Sequence, residues 1–199
     1  MTDRDAPVEI AIGFGPEHRA AAAALYWNAF SRKLDHAIGP RDRGLRLIEK
    51  RLDPSRAVVA RQDNELVGLA GFNLDGRALA TIRARDIIRE FGLWSGFRRV
   101  AWASILHRTP RSDELLMDGI VVRADRRGRG IGTKLMYRLF DVALAHGKRV
   151  VRLDVVDTNP AARQLYEGLG FVAIKTEKVP FLRRFMGFAA ATTMERLVN

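Results

Sequence analysis

The sequence predicts an α/β fold, because strand-like apolar segments alternate with helix-forming segments along the chain. The 199 residues suit one domain, and an apolar content of 47% is enough for one hydrophobic core. In the clearest alternation, the apolar stretch Leu115–Val122 runs through a glycine-rich turn into the helix-forming run Lys134–Ala145. We therefore expect a single domain spanning residues 1–199.

The first part of the chain is predicted to fold as strand, helix, helix, strand, strand. Its second helix has leucine and isoleucine at helical spacing and stops before Pro54, and its last two strands flank a polar turn of a hairpin. The predicted elements are Val8–Ile12, Glu17–Phe30, Arg41–Leu52, Ala57–Arg61 and Leu66–Asn73.

An additional stretch, residues 75–110, separates this part from the strand Leu115–Val122. It is predicted to form two helices, Ala84–Phe91 and Gly96–His107, which we expect to cover the sheet edge or a substrate site. Its aromatic residues would either line a pocket or pack in the core, and Arg98 and Arg99 would contact an anion or face water. These aromatic residues are Phe91, Trp94, Phe97 and Trp102.

The remaining segments continue the alternation to the end of the chain. A helix is predicted after Asn159, with this residue as its cap and Pro160 at its first position. Pro180–Phe188 is expected to fold as a loop over the substrate cleft, with amphipathic membrane contact as the alternative. The predicted strands are Val150–Val156, Phe171–Val179 and Thr192–Val198.

The turn before the helix Lys134–Ala145 has the composition of a phosphate-binding loop. A strand that ends in such a turn and restarts as a helix directs unpaired N–H groups at one point, with the positive end of the helix dipole behind them. Neither the Walker pattern nor the dinucleotide fingerprint fits its glycine spacing. An ordinary strand-to-helix connection without a ligand is the alternative. The turn comprises Arg127, Gly128, Arg129, Gly130, Ile131, Gly132 and Thr133.

Composition narrows the function classes. The absence of cysteine excludes disulfides, thiolate metal sites and a cysteine nucleophile, and the four histidines show no metal-ligand spacing. The formal charge of +11 attracts polyanions, but no RNA-binding strand or helix-turn-helix pattern accompanies it, so we expect no dedicated nucleic-acid function. We also expect a cytoplasmic protein, because no secretory signal or stretch of ~18 apolar residues is present.

Two motifs together resemble the GNAT family of acyl-CoA N-acetyltransferases. The loop Arg127–Thr133 is similar to the pyrophosphate loop of that family, and Asn159–Phe171, with Leu-Tyr followed by Gly-Phe, looks like its second signature. The resemblance implies a mixed central sheet with helices on both faces, with the stretch 75–110 as a helical insert before the coenzyme-binding strand. It also implies acetyl-CoA as co-substrate and allows a homodimer.

The resemblance carries cofactor roles onto particular residues. The main chain of Ile120, Val121 and Val122 would pair with the pantetheine arm near the point where two parallel strands diverge. The N–H groups of Arg127, Gly128, Arg129, Gly130, Ile131, Gly132 and Thr133 would hold the pyrophosphate. Asn159 would touch the pantetheine in addition to capping its helix.

Three side chains are candidates for proton transfer. The resemblance places the Tyr166 hydroxyl near the coenzyme sulfur, where a protonated phenol can act as general acid; a core tyrosine is the alternative. Asp118 or Asp154 would be the base, and strand alternation predicts Asp118 on the side of Ile120 and Val122. Either carboxylate could instead be ion-paired, with Arg123 or Arg152.

The expected function is direct transfer of an acetyl group from acetyl-CoA to a primary amine of a small molecule or peptide. The acceptor is open among aminoglycosides, polyamines, amino acids, peptide N-termini and protein lysines, although the positive charge argues against a polycation. The alternatives are a non-catalytic coenzyme-binding module of the same fold and a nucleic-acid binder.

Overall fold

A seven-stranded mixed sheet forms the centre of the molecule in the computed structural model, which describes residues 7–105, 109–180 and 183–199. The order of the strands is β1-β2-β3-β4-β5-β7-β6. All neighbours are antiparallel except β4 and β5, which are parallel. The strands are β1 (Glu9–Ile12), β2 (Ala57–Gln62), β3 (Glu65–Asn73), β4 (Glu114–Val122), β5 (Val150–Val156), β6 (Val172–Lys178) and β7 (Ala190–Leu197).

Helices cover both faces of this sheet, as predicted. On one face α5 and α6 enclose a core that includes Leu135, Leu153 and Tyr166, and on the other α1 and α2 enclose a second core around Trp27 and Ile48. The helices are α1 (Arg19–Ile38), α2 (Arg41–Arg51), α3 (Ala84–Phe91), α4 (Leu93–Ile105), α5 (Ile131–Ala145), α6 (Pro160–Gly168) and α7 (Arg183–Met186).

Burial follows the positions of the strands within the sheet. Central strand β3 is buried from Leu66 to Asn73, because helices cover it on both sides. In β5 the buried side chains of Val151, Leu153 and Val155 alternate and face α5 and α6. Edge strand β6 is exposed along its whole length.

Three helices have different limits from those predicted, and one of them is α4, which begins at Leu93 instead of Gly96. The alanine-rich α1 continues to Ile38, and the predicted end at Phe30 coincides with a kink, where φ is −122° and ψ is 16°. Helix α5 begins at Ile131, three residues before the predicted Lys134, because Gly130 is its left-handed N-terminal flanking residue. The glycine-rich turn therefore includes the first turn of α5.

The insert packs mainly against the helices on the α1 side of the sheet. Helix α4 contacts α3 and α1, and α3 contacts α2. Gly96 permits the close approach of α4, since a Cβ there would lie 2.8 Å from the Ile88 Cα atom. At the start of the insert, Leu79 is fully buried in the core beneath α1 and α2. The two helices of the insert thus pack against α1 and α2, whereas its first residues reach the core beneath them.

Candidate functional site

Strands β4 and β5 diverge in the middle of the sheet. They pair only from Glu114 to Leu116 with Val150 to Arg152, whereas β4 continues to Val122 with β3 as its neighbour. Beyond Leu116, the β5-facing edge of β4 has no strand partner among the described residues. This is the divergence that the family resemblance implied near Ile120, Val121 and Val122.

The main-chain groups of alternate β4 residues point to this open edge. In an antiparallel pair, a residue directs its N–H and C=O to the same side. Because the Arg123 N–H donates to the Val67 carbonyl of β3 at 2.8 Å, the groups of Ile120 and Val122 point away from β3. Consistent with this, the Arg127 Nε donates to the Val122 carbonyl at 3.1 Å. Ile120 and Val122, rather than Val121, therefore present polar groups at the open edge.

A bulge in β4 reverses the predicted orientation of Asp118. Gly71 pairs with Gly119 and Phe72 with Met117, so Asp118 is an additional residue without a partner in β3. Met117, Ile120 and Val122 pack on the α5 side of the sheet, and Val121 packs on the α1 side. The prediction that Asp118 shares a side with Ile120 and Val122 is wrong, because one inserted residue shifts the alternation. Asp118 faces α1.

The surroundings of Asp118 make its carboxyl group more basic. The Leu79 N–H donates to Asp118 Oδ2 at 3.2 Å. Burial raises the pKa of Asp118 to about 6, although the Leu79 hydrogen bond opposes the shift. Burial, and secondarily the charge of Asp118, raises the pKa of Tyr26 on α1. Next to Asp118, a Cβ at Gly119 would overlap the Phe30 ring. The insert and α1 therefore partly cover Asp118, which is half-buried.

The second predicted base, Asp154, is exposed on β5. It lies on the face opposite Leu153 and Val155, so it shares the α1 side of the sheet with Asp118. The Thr193 hydroxyl donates to Asp154 Oδ1 at 2.6 Å. The arginines considered as partners form other ion pairs: Arg152 pairs with Glu114 at 3.0 Å, and Arg123 pairs with Glu65 and Asp125.

The predicted phosphate loop has the geometry of an anion site. Gly128 and Gly130 have φ of +74° and +72°, a conformation that side chains disfavour. The first bond within α5 is from the Lys134 N–H to the Gly130 carbonyl, and no side chain caps the helix. The N–H groups of Ile131, Gly132 and Thr133 therefore precede the helical hydrogen-bond ladder at its positive end. The Ile131 side chain is buried in the core, so only its main chain is available.

Tyr166 lies on α6, and Asn159 immediately precedes this helix. Tyr166 is 4% exposed, its ring lies 5.8 Å from that of Phe171, and burial raises its pKa to about 12. The Asn159 side chain accepts a hydrogen bond from the Ala162 N–H at 3.2 Å, which confirms the predicted cap. The α5 and α6 helices meet near Gly132, where a Cβ would lie 3.4 Å from the Leu165 side chain. The loop and the Tyr166 helix are thus neighbours.

The three described aromatic side chains of the insert considered for a pocket, Phe91, Trp94 and Phe97, do not form a pocket lining. Trp94 and Phe97 are 94% and 63% exposed, whereas Phe91 packs partly against the second core. Arg98 is exposed, and the guanidinium of Arg99 lies 4.3 Å from the centre of the Phe91 ring. The Trp102 side chain, His107 and Phe181 lie outside the described residues. In the C-terminal segment, Phe188 is buried against residues that include Val156 and Val179.

Sequence reasoning missed three residues around Asp118: Tyr26, Phe30 and Leu79. One signal was present, because an Asp-Gly pair inside a strand pattern is unusual and often marks a bulge. The contacts of α1 and the insert with that bulge join residues far apart in the chain, so no local sequence pattern could predict them.

Neither a membrane-spanning helix nor a cluster of metal ligands is present in the described part of the chain. None of its helices combines the length and apolar character needed to cross a membrane. No group of three or more histidine, aspartate or glutamate side chains within it is placed to hold a metal ion.

Comparisons with known proteins agree with this geometry. The chain is similar to the thialysine N-epsilon-acetyltransferase of Bos taurus, with 36% identity over 64 residues, which are 32% of this chain and 38% of that protein. It is also similar to the L-amino acid N-acyltransferase MnaT of Escherichia coli, with 40% identity over 53 residues, 27% of this chain and 31% of the relative. The matched segments thus span less than two fifths of these curated relatives.

Among solved structures, yncA of Salmonella typhimurium, determined with its cofactor acetyl-CoA, has the same fold. Its TM-score is 0.59 at 20% identity, and the match covers 96% of this chain and 94% of that one. The family model described as the acetyltransferase (GNAT) family matches residues 20–171. With the diverging strands and the glycine loop, this match over most of the chain leads to one conclusion: the chain belongs to the GNAT acetyltransferase family.

Proposed function

We propose that this protein transfers an acetyl group from acetyl-CoA to a primary amine without a covalent enzyme intermediate. The observation that carries the proposal is the open edge of β4 beside the N-terminus of α5. One relative is named an N-epsilon-acetyltransferase of thialysine and another an N-acyltransferase of L-amino acids, and both of these named substrates are amines. The acceptor of this chain is left open as a primary amine.

The cofactor fits the polar groups that the fold leaves available. The N–H groups of Ile131, Gly132 and Thr133, with the glycine conformations before them, suit a pyrophosphate, and Arg127 and Arg129 add positive charge at the rim. The main-chain groups of Ile120 and Val122 suit the amides of a pantetheine arm. Asn159 contributes from the start of α6. When bound, acetyl-CoA supplies an activated thioester.

Asp118 is the base that we favour, because burial raises its proton affinity. With a pKa of about 6, its carboxylate is mostly ionised at neutral pH and accepts a proton from an ammonium better than an ordinary aspartate does. Asp154 is the less favoured candidate, since its carboxylate is exposed and already accepts a hydrogen bond from the Thr193 hydroxyl. A water molecule between acceptor and carboxylate is compatible with the role of either residue.

Tyr166 is the proposed general acid. Because burial raises its pKa to about 12, its hydroxyl stays protonated at neutral pH and can donate that proton to the departing sulfur. The tilted contact with the Phe171 ring and the surrounding core fix the Tyr166 ring, so the position of the hydroxyl is set by packing. Tyr166 can therefore be a general acid and a core residue at the same time, since its ring is buried while its hydroxyl donates the proton.

Calorimetric titration with acetyl-CoA tests the cofactor site. We expect micromolar binding by the parent and its loss in Gly130→Glu, because the new carboxylate repels the pyrophosphate. Gly147→Glu is the matched control: Gly147 also has a positive φ, also has open space at its Cβ, and follows the opposite end of α5. No binding by the parent, or equal loss in both variants, would refute the assignment.

Replacing Tyr166 by Phe separates an enzyme from a coenzyme-binding module. If the hydroxyl donates the proton, Tyr166→Phe should lower kcat by about 100-fold or more while acetyl-CoA affinity is kept. The control is Tyr137→Phe on the exposed side of α5. An acceptor screen by release of free coenzyme thiol supplies the substrate; unchanged turnover in Tyr166→Phe would remove the general-acid role, and no turnover with any amine would favour the binding module.

A further inference from the structure

We propose that the outer face of α4 is a docking surface for anionic lipid bilayers. This outer face consists of Leu93, Trp94, Phe97 and Arg98. The first three side chains are 66%, 94% and 63% exposed, respectively. Contiguous large apolar side chains at a protein surface commonly mark an interaction site, whereas isolated ones need no explanation.

The packing of α4 explains why these side chains point outward. Gly96 faces α3, where its neighbour is Ile88. At 100° per residue, Trp94 and Arg98 lie on the side of α4 opposite Gly96, and Phe97 lies beside them. The inner side of α4 therefore packs against α3, whereas the side chains of the outer face are exposed.

Arg98 of this face is one of three neighbouring arginines. Burial, followed by the nearby charges of Arg98 and Arg43, lowers the pKa of Arg99. Among the described residues, no carboxylate forms an ion pair with any of these three arginines. Their mutual repulsion is relieved when an anion approaches.

A groove on the adjoining helix adds two more arginines. It has a volume of about 700 Å³ and is lined by Arg51, Arg85, Asp86, Ile88 and Arg89. The Asp86 carboxylate already binds the Arg51 guanidinium, so the charges of Arg85 and Arg89 are in excess. Ile88 also contacts the Gly96 position, so the groove borders the inner side of α4, and its arginines add positive charge to the insert rather than to the outer face itself.

The combination favours a bilayer over other occupants. Tryptophan, phenylalanine and leucine next to arginine are the side chains that helices place at the membrane–water interface, with the basic groups at anionic head groups. A nucleic acid would engage the arginines but leave Leu93 in water. A second copy with two-fold symmetry would bring the same arginine-rich face against itself. The surface implies contact with a membrane and no span across it.

Vesicle flotation tests this proposal independently of acetyl transfer. The probes are vesicles of phosphatidylcholine alone and of phosphatidylcholine mixed with phosphatidylglycerol. We expect the parent protein to float only with the mixed vesicles. The double variant Trp94→Ala/Phe97→Ala should bind them at least tenfold more weakly, and Arg98→Gln about fivefold more weakly. The matched control is Val172→Ala/Ile174→Ala, which removes two similarly exposed apolar side chains from β6.

Three outcomes would overturn the proposal. The first is failure of the parent to bind the mixed vesicles. The second is equal binding by the parent and the Trp94→Ala/Phe97→Ala variant, which would place any attraction elsewhere on the basic surface. The third is a dimer in sedimentation analysis that this variant dissociates, with no vesicle binding, which would assign the face to a second copy. Circular dichroism of each variant verifies that it is folded.

Discussion

At the scale of single residues, the orientation of Asp118 determines its chemistry. The bulge turns its carboxyl group away from the α5 core and toward Tyr26 and the Leu79 N–H, where burial disfavours the charged form. A carboxylate on regular alternation would face the α5 core, with Ile120 and Val122. The backbone irregularity thus sets the location of the proposed base, and burial at that location raises its pKa.

Replacing Asp118 by Asn should stabilise the protein at neutral pH. The pKa of Asp118 is raised from 3.8 to about 6, so the folded chain binds this proton more tightly than the unfolded chain. The contribution to the free energy of unfolding therefore decreases as pH rises from about 4 to about 6 and is constant above that range. The amide can still accept the Leu79 N–H, so we expect a gain of about 1–3 kcal/mol at pH 7.

Urea unfolding of both proteins at pH 4 and pH 7 measures this difference, which should be largest at pH 7 and small at pH 4. Asp141→Asn on the exposed side of α5 is the control for removal of a negative charge. Asp118→Asn should also lose acetyl-transfer activity while it gains stability, because it lacks the proposed base. A variant that is less stable than the parent at pH 7 would contradict the burial argument.

At the scale of elements, β4 and α1 fit together through Gly119 and Phe30. The Phe30 ring occupies the space that a Cβ at Gly119 would need, it lies 4.9 Å from the Tyr26 ring, and Phe30 is also the kink residue of α1. The close approach of helix and strand thus depends on a glycine in the bulge, and the kink occurs at the same contact.

Gly119→Ala should destabilise the protein by about 1–3 kcal/mol, because the new methyl group displaces the Phe30 ring. Phe30→Ala should partly relieve that cost, so the double variant should be more stable than the sum of the two single changes implies. Denaturant unfolding of all four proteins gives the coupling free energy. Gly132→Ala, whose Cβ has only an ordinary contact with Leu165, is the control. Strict additivity would mean that the two residues do not meet.

Sequence patterns predicted the elements better than their mutual contacts. Apolar alternation located β5 at Val150–Val156, and the Asn-Pro pair located the start of α6, because these signals are local. The extension of α1 past Phe30 was not predicted, since tertiary packing maintains a kinked helix there. The orientation of Asp118 was predicted wrongly, because alternation assumes a strand without a bulge.

At the scale of the whole molecule, the chain separates its basic features between two regions. The loop Arg127–Thr133 lies at the start of α5, and the arginines of α2, α3 and α4 lie on the insert side of the sheet. The turn from β4 into α5 was predicted from sequence because it depends on a contiguous glycine motif, whereas the binding role of that loop stays a prediction. The exposure of Trp94 was not predicted, because the aromatic side chains of a helix can be either buried or exposed to solvent.

The net charge of +11 should accelerate the association of acetyl-CoA, which is a polyanion. The attraction acts over roughly one Debye length, which shortens from ~30 Å at 0.01 M salt to ~8 Å at 0.15 M. We therefore expect the association rate constant to fall by about tenfold over that range, with little change in the dissociation rate constant. Stopped-flow fluorescence measures both. Acetyl-pantetheine, which lacks the phosphates, is the control and should associate at a rate independent of salt. A dependence equal for both ligands would show that salt acts on the protein itself, since only the charged ligand experiences the long-range field.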